Sequence, residues 1–135
     1  MTSRLRLVGF YKELGIREEV ADSRSIQDVV SGEPLGDEGQ VVGYLSSGVP
    51  VLDIMEGVND VISRDFYVTA GSSILTDGVW VWRVDLPYYV GRYHLRLDEG
   101  FLSHVRDASY VVPQVSKMNL ISIAREVASD VLGMR

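Results

Sequence analysis

The sequence predicts one α+β domain over residues 1–135. A small antiparallel sheet surrounds a central hairpin at about 73–84, with short helices before it and two or three helices after it. Three observations carry this. Asp77-Gly78 lies between two runs of strand-forming residues, Ser73–Thr76 and Val79–Val84. Asp85, Asp98 and Ser116 each stand before an apolar stripe at helical spacing, where an N-cap belongs. A chain of 135 residues, 46% hydrophobic, fits one sizeable core and leaves little room for two.

The elements follow in order. Leu7, Phe10, Tyr11 and Leu14 fall at helical spacing, with Gly15 as a stop and Gly9 a weak point inside. Ser25 and Asp28 form a capping-box pair for a short helix through Val30. Asp37 with Gln40 repeats that pattern before Val41, Val42 and Leu45, which predicts a helix over 38–47. The Val and Tyr content there also fits a hairpin around Ser46-Ser47-Gly48, and both readings stay open. Val49–Met55 is short and β-branched, a strand; Val58–Ser63 and Phe66–Ala70 are weaker strands. Asp77-Gly78 predicts a two-residue type I′ turn, both positions at positive φ. Trp80, Trp82 and Val84 then share one strand face, with Val79, Val81 and Arg83 on the other. Asp85 caps a helix that has Pro87 in its first turn and Leu86, Tyr89, Val90 and Tyr93 as its stripe. Asp98 caps the next, stapled by Leu97 and Leu102, with Phe101, Leu102 and Val105 inward. Ser116 caps the last, whose stripe reads Leu120, Ile121, Ala124, Val127, Val131 and Leu132, closed by Gly133.

Composition excludes several functions. The absence of cysteine rules out disulfides and thiolate chemistry. A net charge of −6 disfavours nucleic acid and anionic membranes, which need basic surface. No apolar run nears the roughly 18 residues of a membrane span, and the N-terminus lacks a secretory apolar core, so a cytoplasmic location is expected. The charge is unevenly spread. Residues 37–78 hold seven acids (Asp37, Glu38, Asp53, Glu56, Asp60, Asp65, Asp77) against Arg64 alone, while both flanks are nearly neutral.

No catalytic motif emerges. His94 and His104 are the only histidines and lack metal-ligand spacing, so no metal or cofactor is expected. Ser72-Ser73 after Gly71 does not make a nucleophile elbow, because Ile74 and Leu75 follow. The Gly-rich segment Gly32–Gly39 carries three acids and no Gly-Lys-Ser/Thr ending, so it is a loop and not a phosphate cradle. The cluster Trp80, Trp82, Tyr88, Tyr89 and Tyr93 reads mainly as core; Tyr88 lies off the apolar stripe, where an aromatic beside acids suits a protein contact.

The stretch Ser73–His94 carries T-D-G-x-W-x-W…D-L-x-Y-Y-V-x-x-Y-H. It resembles a group of small acidic actinobacterial proteins that share this pattern. Proteins of this size and charge are also similar in type to immunity proteins of polymorphic toxin systems, which implies a protein partner. The expected function is therefore a non-enzymatic interaction protein that binds and neutralises a cationic toxin domain. Asp53, Glu56, Asp60 and Asp65 would supply charge, with Trp82 and Tyr88 as aromatic anchors. One alternative is an enzyme or small-molecule binder with a pocket between sheet and helices, using Asp85, Tyr89 and His94. Another is a structural or regulatory oligomer subunit built on the hairpin edge.

Overall fold

The structure is a computed structural model; it describes residues 6–14, 25–53, 57–69 and 71–131. The fold is α+β. Strands β1 (Arg6–Leu7), β2 (Val49–Leu52), β5 (Ile74–Thr76) and β6 (Trp80–Arg83) form one sheet in the order β1-β6-β5-β2; β3 (Val58–Asn59) and β4 (Tyr67–Val68) form a separate hairpin. Four α-helices are described: α1 (Glu38–Ser46), α2 (Leu86–Tyr93), α3 (Glu99–Asp107) and α4 (Lys117–Glu126). Val127–Val131 extends α4 with π-helical geometry.

Both faces of the sheet are covered, which is why every residue of β5 and β6 is buried. Leu75, Trp80 and Trp82 face the larger core, with Val41, Tyr44 and Leu45 of α1, Leu86, Tyr89 and Val90 of α2, and Phe101, Leu102 and Val105 of α3. Ile74 and Val81 face a smaller core with Phe10, Ile123 and Val127. Trp82 sits against α1, its indole N–H donating to the Leu45 carbonyl at 3.0 Å. Gly48 makes this approach possible: a Cβ there would lie 2.7 Å from the Trp82 ring and 2.8 Å from the Leu75 Cβ.

The sheet is mixed, since β1 runs parallel to β6. The predicted helix over 7–14 is replaced by β1 and a single 3₁₀ turn at Lys12–Leu14. Gly9 is the physical reason: its φ of +80° breaks a helix, and Val8, Phe10 and Tyr11 are buried around it. Gly15 lies outside the described residues. The Ser25–Asp28 capping box forms, on a single 3₁₀ turn at Ile26–Val29.

The segment 38–47 resolves as helix and not hairpin, yet Asp37 makes no side-chain cap. Its carboxylate accepts instead from Arg106 Nε at 2.9 Å and the Tyr110 hydroxyl at 2.7 Å. Asp85 likewise makes no cap and pairs with Arg83. Asp98 and Ser116 do cap, accepting from the Phe101 and Asn119 N–H groups.

The central turn differs from the type I′ expectation. Gly78 has φ +99°, while Asp77 is absent from the positive-φ residues and its N–H still pairs with the Trp80 carbonyl. The turn residues are therefore Gly78-Val79. The buried Asp77 carboxylate enforces the shift, accepting from the Val79 and Trp80 N–H groups at 2.9 and 2.7 Å.

On α4 the inward stripe is rotated from the expectation. Ile123 and Val127 are buried, whereas Ile121 is exposed. The predicted positions Leu132 and Gly133 lie outside the described residues. The strands expected over 58–63 and 66–70 shrink to two residues each, because Asp60 turns the chain at once.

Candidate functional site

The turn between β3 and β4 is organised by Asp60. Its backbone carbonyl accepts from the Arg64 N–H, and its carboxylate accepts from the Ile62 and Ser63 N–H groups at 2.7 and 3.1 Å. From α2, the Tyr88 and Tyr93 hydroxyls donate to the same carboxylate at 2.6 Å each. Asp60 is wholly buried. Burial pushes its acidity toward the neutral form, but the hydrogen bonds from Tyr88, Tyr93, Ile62 and Ser63 outweigh that and hold the pKa at about 2. Burial and the bond to Asp60 push Tyr88 up to about 12.

Around this hub the aromatic rings are fixed in place. Phe66 stacks on Tyr88 with centroids 5.1 Å apart and planes 17° from parallel. Tyr88 meets Tyr89 edge-on at 5.2 Å. Arg92, one turn on from Tyr88, lies 5.9 Å from the Tyr88 ring centroid and 5.3 Å from that of Tyr93. It also bonds Asp65 at 3.1 Å and the Tyr88 hydroxyl at 2.6 Å. The outcome is a short hairpin clamped to α2; Phe66, 52% exposed, closes its turn, and Tyr67, 60% exposed, stands in β4 opposite Asn59 with its ring over Gly57. Arg64 precedes them, exposed and at φ +63°.

The residues expected to bind a partner are scattered. Trp82 has no exposure and is a core residue, so it cannot anchor a partner. Asp60 is buried and serves the hairpin, which corrects its expected role as a surface acid. Asp65 remains exposed, paired with Arg92, and Tyr88 is half-buried beneath Phe66. Asp53 is exposed at the end of β2. Glu56 lies outside the described residues.

The acidity of 37–78 does not form one face. Asp37 pairs with Arg106, Glu38 with His94 at 2.8 Å, Asp65 with Arg92, and Asp77 with His104 at 2.8 Å. Asp77 also accepts from the buried Tyr44 hydroxyl at 2.6 Å. These acids tie the middle of the chain to its C-terminal third.

The pocket residues of the alternative reading do not converge. His94 caps α2 in a left-handed conformation and faces Glu38. Asp85 is buried against Arg83 at 3.0 Å, and burial raises its pKa against the opposing Arg83 charge. The Tyr89 hydroxyl accepts from the Val61 N–H at 3.0 Å. Among the described residues no group of three or more His, Asp or Glu could hold a metal ion, and no helix is long and apolar enough to cross a membrane.

Phe66, Tyr67 and Arg92 were not singled out by sequence reasoning. The available signal was two adjacent aromatics directly after Arg64-Asp65, in a segment too polar and short to bury both. Compared with known protein families, curated proteins and solved structures, the chain matches none.

Proposed function

We propose that this chain is a non-enzymatic interaction protein whose partner contact is the β3–β4 hairpin with its exposed aromatics Phe66 and Tyr67. One observation carries the reading. A fully buried carboxylate, Asp60, and three α2 side chains are committed to holding a two-residue hairpin that exposes Phe66 and Tyr67. Isolated two-stranded hairpins are marginal in water. A clamp of this kind gives a rigid aromatic surface, and preorganised aromatics are the usual energetic centre of a protein interface.

The net charge of −6 favours a basic partner through long-range attraction. A cationic bacterial toxin domain, neutralised by an immunity-type protein, is the partner class that fits this charge and a sequence in which no catalytic motif emerges. The test is capture of basic proteins from source cells with the wild-type chain and with Phe66→Ala plus Tyr67→Ala. The wild type retains a basic protein; the double variant, equally folded, loses it by at least about tenfold, the size of a single hot-spot truncation. Equal capture by both sinks the reading.

A further inference from the structure

We propose that the cleft between the Lys12–Leu14 turn and the β3–β4 hairpin binds a small zwitterion of the α-amino acid class. The cleft has a volume of about 290 Å³ and is lined by Glu13, Leu14, Val58, Asn59, Val61 and Arg83. It gathers one carboxylate, one guanidinium, one amide and three apolar side chains. A few converging polar groups on an apolar wall are the usual make-up of a small-molecule site.

The charged members are held in position. Arg83 is 4% exposed; its Nε and Nη2 bond Asp85 at 3.1 and 3.0 Å, and its Nη1 bonds the Leu14 carbonyl at 3.0 Å. That engages three of the five N–H groups of a guanidinium. The Glu13 carboxylate accepts from the Ser25 hydroxyl and from the Ile26 N–H at 2.9 Å. Val61 is fixed by its N–H bond to Tyr89, and Val58 is backed by Gly71, where a Cβ would come within 2.6 Å of it.

The Arg83–Asp85 pair is itself an argument. A buried ion pair contributes little stability, because desolvation offsets its attraction. Held at the wall of a cleft, this one presents a fixed guanidinium to whatever the cleft takes. Glu13 disfavours a ligand that is only an anion, and Arg83, its charge balanced by Asp85 but carrying donors alone, calls for an acceptor on the ligand. A ligand with both charges satisfies both, its ammonium at Glu13, its carboxylate at Arg83 and a short apolar side chain on Leu14, Val58 and Val61. This site shares the β3–β4 hairpin with the partner contact, Asn59 lying opposite Tyr67, but does not rest on that reading.

Titration of the ¹⁵N-labelled full chain with L-valine, valinamide and 3-methylbutanoate tests it. L-valine is expected to give saturable amide shifts at Val58, Asn59 and Val61, with at least about tenfold tighter binding than either singly charged analogue. Glu13→Gln should weaken L-valine about tenfold and strengthen 3-methylbutanoate, from which it removes a like charge. Because Glu13 also holds the Ser25 turn, Asn59→Ala is the second variant, expected to weaken L-valine several-fold with the remaining spectrum intact. Absence of saturation at about 20 mM, equal affinity for all three probes, or unchanged L-valine affinity in both variants overturns the proposal.

Discussion

Asp60 concentrates the chemistry of the hairpin at one side chain. Hydrogen bonds from Tyr88, Tyr93, Ile62 and Ser63, with the Arg92 guanidinium at 3.4 Å, compensate for burying its charge. Asp60→Asn should cost roughly 1–3 kcal/mol in urea unfolding, because a neutral amide leaves hydroxyl donors poorly satisfied. The loss should be accompanied by faster hydrogen exchange at Ile62 and Ser63. Phe66→Ala should cost about 0.5–1.5 kcal/mol, the worth of its half-exposed stack on Tyr88. None of this was legible residue by residue. Asp60 looks like any acid in an acidic segment, and its burial depends on tyrosines that lie 28 and 33 positions away.

Where local chemistry decides an element, the sequence reads well. The caps at Asp98 and Ser116, the capping box at Ser25 and the β5–β6 hairpin all form. The errors lie where a tertiary partner competes for the same group. Asp37 and Asp85 have cap-forming side chains, but Arg106, Tyr110 and Arg83 take them. On α4 Val127 is buried as expected, but Ile123 takes the inward place of Ile121, because the two are equally apolar and the second face of the sheet selects between them. Ile123→Ala should therefore cost about 2–5 kcal/mol, while Ile121→Ala stays within about 0.5 kcal/mol. Gly48→Ala should cost roughly 1–3 kcal/mol, since its methyl meets the Trp82 ring and Leu75. Chemical denaturation of the three variants checks both statements.

Across the whole molecule, the acidic middle segment and the C-terminal third hold each other. Asp37 and Asp65 form ion pairs with Arg106 and Arg92, and Glu38 and Asp77 hydrogen-bond His94 and His104, so much of the acidity of the middle segment is engaged within the fold. The acids of a sequence can be counted, but their partners are a property of the fold. Acid should expose this arrangement. Bonds from Arg106 and Tyr110 hold the Asp37 pKa at about 2, and Asp60 is held at about 2 despite its burial. Both lie below the unfolded value near 4. Their stabilisation is complete above about pH 4 and is lost as pH falls toward about 2. A thermal-melt series over that range should show a falling midpoint, and Asp60→Asn should flatten part of the slope. The central claim is that the molecule meets its partner through the exposed aromatics of the clamped hairpin and not through a spread of acids. The most direct measurement is capture of the basic partner by the Phe66→Ala, Tyr67→Ala double variant beside Asp53→Asn. The account predicts at least about tenfold loss in the double variant and little change in Asp53→Asn. Full retention by the double variant, or a larger loss in Asp53→Asn, would contradict it.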